Sequence, residues 1–157
     1  GKTKLLRSYR KFKKLGKTKD DFIVYNYFVR ALTGRIYLDW KHVINPNNRT
    51  ISQFTYHLDH KYSVSRGFTS SLLTWRDICH PANLQVLPWK RNLQKYVSCD
   101  LTAKKLKTKI IEFELIHGRV DMDKCIGKMY KSNRFVQNMP NDRNGKYMEQ
   151  RGIVPPR

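Results

Sequence analysis

Positive charge is spread so unevenly along these 157 residues that it decides which segments can build a core. The chain holds 32 Lys and Arg against 12 Asp and Glu, a net +20. Residues 1–20 supply nine basic and one acidic side chain, 90–109 seven and one, and 119–157 nine and four. Residues 50–89 carry only Lys61, Arg66 and Arg76 against Asp59 and Asp77. Like charge in such density belongs on a surface that meets a polyanion, so chemistry is expected in the quiet block.

The length suits one domain, and the 39% apolar content is spread along the chain. No window approaches the eighteen or more consecutive apolar residues of a membrane span, and no charged-then-apolar leader with a small-residue cleavage site opens the sequence. The expectation is a cytoplasmic protein that is neither secreted nor membrane-bound. Cys79, Cys99 and Cys125 are scattered, which excludes paired C-x-x-C knuckles and a disulfide scaffold, and each reads as a small buried hydrophobe.

Residues 1–19 form a basic arm whose Leu5, Leu6, Tyr9, Phe12 and Leu15 recur near helical spacing. It is either an amphipathic helix for nucleic acid or an anionic membrane, or a solvated tail. From Asp20 the run DDFIVYNYFVRALTG predicts a core helix of about four turns, with Thr18 as N-cap and Gly34 as its stop. Residues 36–44 continue as helix or become strand, and Asn45-Pro46-Asn47-Asn48 marks a turn. The β-branched and aromatic segment 51–59 predicts a strand. A long loop with a helical turn at 71–78 leads to a second strand at 83–89, closed by Pro88. Helices are expected from Lys90 to Val97, over 101–116 behind an Asp100 cap with Leu106, Ile110, Phe113 and Leu115 apolar, and near 122–136.

Three polar groups stand out in or beside the quiet block: His57-Leu58-Asp59-His60, Asn83-Leu84, and Asn92-Leu93-Gln94-Lys95. Singly each is weak, since Asp-His pairs close strands and Asn is common in turns. Together they comprise an apolar strand ending in Asp-His, an Asn opening a second strand, and an Asn nine residues later on a helix with a nearby Lys. In that order they resemble the His-Asn-His (HNH) nuclease family, over about residues 52–97, with phage and intron-encoded homing endonucleases as the nearest likeness.

The resemblance implies an α+β fold: a ββα-metal core at 51–97, a helical segment at 20–50, a helix at 98–118 and basic arms at 1–19 and 119–157. It implies a DNA endonuclease, in a bacterial or phage-infected cytoplasm, with one Mg²⁺ or Mn²⁺ per site. His60 would be the general base, Asp59 and Asn92 the metal ligands, and Asn83 the residue that ties the loop to the hairpin. The chemistry is coherent: imidazole is the side chain whose ordinary pKa lies near neutrality, and a cation held by few hard oxygens leaves room for phosphate and water. His57 shares the strand face of Asp59 and either adds a ligand, orients one or is structural. His80, before Pro81, reads as a loop-fixing hydrogen-bonder. Lys95, Lys90, Arg91 and Arg66 are candidate contacts to double-stranded DNA. A single site nicks, so cutting both strands needs a homodimer, a larger assembly or a second pass. The competing reading is a non-catalytic basic nucleic-acid-binding or ribosomal-type assembly protein. Departures from the family pattern are Asn92 in place of His and the 22-residue separation of His60 from Asn83.

Overall fold

A computed structural model describes residues 14–96 and 98–140; most of the basic N-terminal arm, Val97 and residues 141–157 lie outside it. The first helix, α1 (Lys19–Ile44), opens on a reciprocal capping box in which Asp21 N donates to Thr18 Oγ1 at 3.1 Å and Thr18 N donates to Asp21 Oδ2 at 2.9 Å. It runs through Gly34 instead of stopping there. Val24, Tyr25, Phe28, Val29, Leu32, Thr33 and Ile36 form one buried face that continues past the glycine, and such packing outweighs the roughly 1 kcal/mol that an interior glycine costs. The stop comes at Asn45, just before Pro46. Its side chain accepts from Arg49 N and donates to Arg49 O, both at 2.9 Å.

The sheet is a two-stranded antiparallel hairpin, β1 (Tyr56–His60) with β2 (Leu84–Pro88), in which Tyr56 pairs with Pro88, Asp59 with Gln85 and His60 with Leu84. The first strand is shorter than its sequence suggests. Ser52 and Thr55 bond each other through their hydroxyls at 2.6 Å, and Thr55 Oγ1 donates to Thr50 O, so residues 52–55 turn locally instead of joining the ladder. Between the strands lie α2 (Val64–Thr69), α3 (Trp75–Cys79) and a 3₁₀ turn (Pro81–Asn83). The helix α4 (Trp89–Lys95) begins as soon as β2 ends and packs on both strands. Then follow α5 (Ala103–His117), α6 (Met122–Tyr130) and α7 (Asn133–Gln137).

An isolated two-stranded hairpin is marginal in water. Here α1 supports it from one side and α4 from the other. The buried face of α1 also meets α2, α3 and α6, with Phe28 edge-on to Trp75 at 5.3 Å. The cap of α5 is Thr102, not Asp100. Leu106 is buried and Ile110 and Phe113 pack against the core, whereas Leu115 is 82% exposed. It stands nine residues past Leu106, which is half a turn out of phase at 3.6 residues per turn. The expected helix over 122–136 is broken at Lys131 and Ser132, where Ser132 Oγ caps α7. Cys79 and Cys125 are buried, Cys99 is partly exposed, and all three are free thiols. Among the described residues no helix is long and apolar enough to cross a membrane.

Gly67 of α2 marks the tightest approach in this core. A Cβ there would lie 2.6 Å from Ile78 Cδ1 and 2.9 Å from the Tyr25 hydroxyl, which itself donates to Val64 O. Gly67→Ala is expected to destabilise the fold by about 1–3 kcal/mol through overpacking, read as a lower urea midpoint at unchanged slope.

Candidate functional site

Side chains alternate along β1, and the two faces meet different helices. His57 and Asp59 face α4, where Asn92 and Lys95 stand one turn apart; Leu58 and His60 face the core and α1. The Asp59 carboxylate takes two donors on Oδ2, Lys95 Nζ at 2.6 Å and Gln85 Nε2 at 2.9 Å, the latter from its cross-strand partner. Its Oδ1 has no hydrogen-bond partner among the described residues.

The direction of every bond around His57 follows from one carbonyl. His57 Nε2 lies 2.9 Å from Gln53 O, and a carbonyl only accepts, so Nε2 carries the proton and Nδ1 the lone pair. Nδ1 then accepts from Asn92 Nδ2 at 2.9 Å. The Asn92 amide is thereby oriented, with its Oδ1 left over for another partner.

A second carbonyl does the same for His60. Val29 O accepts from Cys79 Sγ at 3.5 Å, so that sulfur accepts from Thr33 Oγ1 at 3.7 Å, and Thr33 in turn accepts from His60 Nε2 at 2.9 Å. His60 Nδ1 is left unprotonated. Among the described residues the one sealed side-chain polar atom without a partner is His80 Nε2, so His60 Nδ1, which also lacks a protein partner, keeps contact with solvent. Burial, followed by the positive charges of Arg30 and Lys95, pushes the ring from its ordinary 6.5 down to about 3.

No family model, curated protein or solved structure matches this chain.

The hairpin and α4 thus bring two hydrogen-bonded pairs, Asp59 with Lys95 and His57 with Asn92, to one face, while His60 emerges from the other side of β1. Among the described residues no three His, Cys, Asp or Glu converge as metal ligands. The pair of unpartnered oxygens, Asp59 Oδ1 and Asn92 Oδ1, is of another kind: hard donors with one negative charge, which suit a small cation that keeps several waters. Asn83 is completely buried. Its Oδ1 accepts from Tyr62 N at 2.7 Å, and its Nδ2 donates to Tyr62 O at 3.1 Å and Ile78 O at 2.9 Å. His80 Nδ1 accepts from Ala82 N at 3.1 Å, and its Nε2 points at Glu114 from 3.6 Å, beyond hydrogen-bond reach. Burial lowers the His80 pKa, against the opposing pull of Glu114 and Asp77. Lys90 and Arg91 are exposed at the start of α4, and Arg66 is exposed on α2.

Sequence reasoning passed over Thr33, Gln53 and Gln85, and read Cys79 only as a buried hydrophobe and Asp100 only as a helix cap. Gln85 was recoverable from the strand register. Nothing in the sequence marks Thr33, which reads as one more helical position.

The depressed His60 pKa has a stability consequence. An unfolded chain takes up this proton near 6.5 and the folded one only near 3, so between those values the unfolded state binds more protons. The native state is fully favoured above about pH 6.5 and loses stability as pH falls toward 3, by at most about 1.4 kcal/mol per pH unit. Urea unfolding between pH 7 and 5 should show a shallower slope in His60→Gln than in the wild type, with the buried His80 still contributing in both; equal slopes would mean that the ring titrates alike in both states.

Proposed function

We propose that this chain is an HNH-type endonuclease, a phosphodiester hydrolase acting on double-stranded DNA with Mg²⁺ or Mn²⁺. The observation that carries the reading is the pair of hydrogen-bonded contacts, Asp59 with Lys95 and His57 with Asn92, on the α4 face of the hairpin. Hydrogen bonds on the two faces of β1 leave oxygen donors on Asp59 and Asn92 toward α4 and, on the opposite face, a lone pair on His60 Nδ1. The motif spacing agrees with that arrangement, and the charge of the flanking segments suits a phosphate backbone.

Asp59 and Asn92 would hold the cation, and His57 fixes the Asn92 amide through Nδ2 so that its Oδ1 stays available. When bound, the cation supplies positive charge to the scissile phosphate and to the leaving 3′ oxygen. His60 Nδ1 takes a proton from the attacking water, and the Thr33–Cys79–Val29 chain holds the ring in the tautomer that can do so. The water oxygen bonds to phosphorus, the bond to the 3′ oxygen breaks, and that oxygen takes a proton from solvent, leaving a 5′-phosphate. Lys90, Arg91 and Arg66 are exposed and would meet backbone phosphates. Asn83 takes no part in the chemistry and keeps the hairpin and the intervening loop in register.

Incubated with supercoiled plasmid and Mg²⁺, the wild type is expected to produce nicked circles. His60→Ala, Asp59→Ala and Asn92→Ala should each lower the rate by about 10²-fold or more. His57→Gln should act through Asn92 and raise the metal requirement by about 10–100-fold. Intact DNA with Mg²⁺ and with Mn²⁺, or an undiminished rate in His60→Ala, ends the enzymatic reading in favour of a pure binder.

A further inference from the structure

We propose that Lys95 is an internal counter-cation for Asp59 and that it transfers to Asp100 when a divalent cation takes the Asp59 carboxylate. The inference rests on the reading of Asp59 as a ligand and adds to it a residue, Asp100, that no motif marks.

The ammonium group of Lys95 has three donors, and three acceptors surround it: Asp59 Oδ2 at 2.6 Å, the His60 carbonyl, and Asp100 Oδ2 at 3.5 Å. The Lys95 side chain is 6% exposed and Asp59 11%, so the pair sits where water screens little, whereas Asp100 is 36% exposed. A divalent cation on Asp59 puts two positive centres on one poorly hydrated carboxylate. Their repulsion is strong at low dielectric, and Lys95 is the centre that can move.

Its second seat is already built. Asp100 N donates to Lys61 O at 2.8 Å, which pins that residue beside the end of β1. Gln85 Nε2 donates to both Asp59 and Asp100, holding the two carboxylates at a fixed separation. Shortening the 3.5 Å contact by about 0.7 Å turns it into a full charge-assisted hydrogen bond, and the His60 carbonyl serves as the pivot. Until the cation arrives, the same lysine neutralises Asp59 and suppresses its affinity for metal.

Mn²⁺ binding, followed by loss of the free-ion signal in electron paramagnetic resonance with no DNA present, tests the exchange without reference to cleavage. Lys95→Met is expected to bind Mn²⁺ about tenfold more tightly than wild type. Asp100→Asn, which weakens the second seat, should bind about fivefold less tightly, and adding it to Lys95→Met should change affinity by less than twofold. Lys95→Gln, which keeps a donor toward Asp59 without the charge, replaces the Met variant if circular dichroism shows that variant unfolded. Unchanged affinity on removing the lysine charge overturns the exchange, as does an Asp100→Asn effect of equal size in both backgrounds, the mark of simple electrostatic attraction. No Mn²⁺ uptake by any of the proteins removes the metal site itself, and the nuclease reading with it.

Discussion

The buried amide of Asn83 is the interaction on which the rest of the site depends. It is a polar side chain without solvent contact, and it satisfies the N–H and C=O of Tyr62 and the C=O of Ile78 at once. Its own carbonyl accepts from Lys61 N at 2.7 Å. Those partners belong to the exit of β1 and the end of α3, so one side chain closes a long excursion and starts β2 in the register that sets Gln85 opposite Asp59. An apolar residue of the same size leaves three backbone groups unpaired, of which the buried Ile78 carbonyl alone costs about 1–3 kcal/mol. That cost explains why a fully buried polar residue is tolerated here.

With register set, the pleat divides the labour. One face of β1 carries His57 and Asp59 toward α4, where a helix with no buried residue of its own presents Asn92 and Lys95. The other face carries Leu58 and His60 toward the core, where α1 supplies Thr33. The long helix therefore does more than fill volume: its Thr33 sets the tautomer of a ring 27 positions away, while its neighbours Val29, Leu32 and Ile36 are fully buried.

What was legible in the sequence was local. Thr18 and Asp21 announce their cap by spacing alone, and Asn92 and Lys95 stand on the helix that their intervals suggest, whereas Asn83 closes the 3₁₀ turn one residue before the strand it was expected to open. Gly34 misled because a propensity cost of about 1 kcal/mol is visible in sequence, whereas the tertiary face that overrides it is not. Leu115 misled because an apolar residue in an amphipathic stretch invites assignment to the core even when it lies half a turn off phase. Thr33, Cys79 and Asp100 were illegible for a different reason. Their roles are contacts across 27, 46 and 15 residues of separation, with His60, Thr33 and Gln85 respectively, and no periodicity encodes contacts of that kind.

The net charge of +20 meets the site in His60. Positive neighbours, Arg30 and Lys95, add to burial in pressing the ring toward its neutral form. Neutrality is what a proton acceptor needs, yet a ring held at about 3 is a feeble base. A phosphodiester laid against its one open edge acts in the opposite direction, because a nearby negative charge favours the protonated imidazole. On the proposed reading, the substrate supplies the charge that strengthens the base. On that reading, the positive charges that would gather DNA from solution add to burial, the larger cause, in keeping the ring a weak base until DNA is in place. Binding would then be coupled to chemistry through the charge that the substrate brings to the ring.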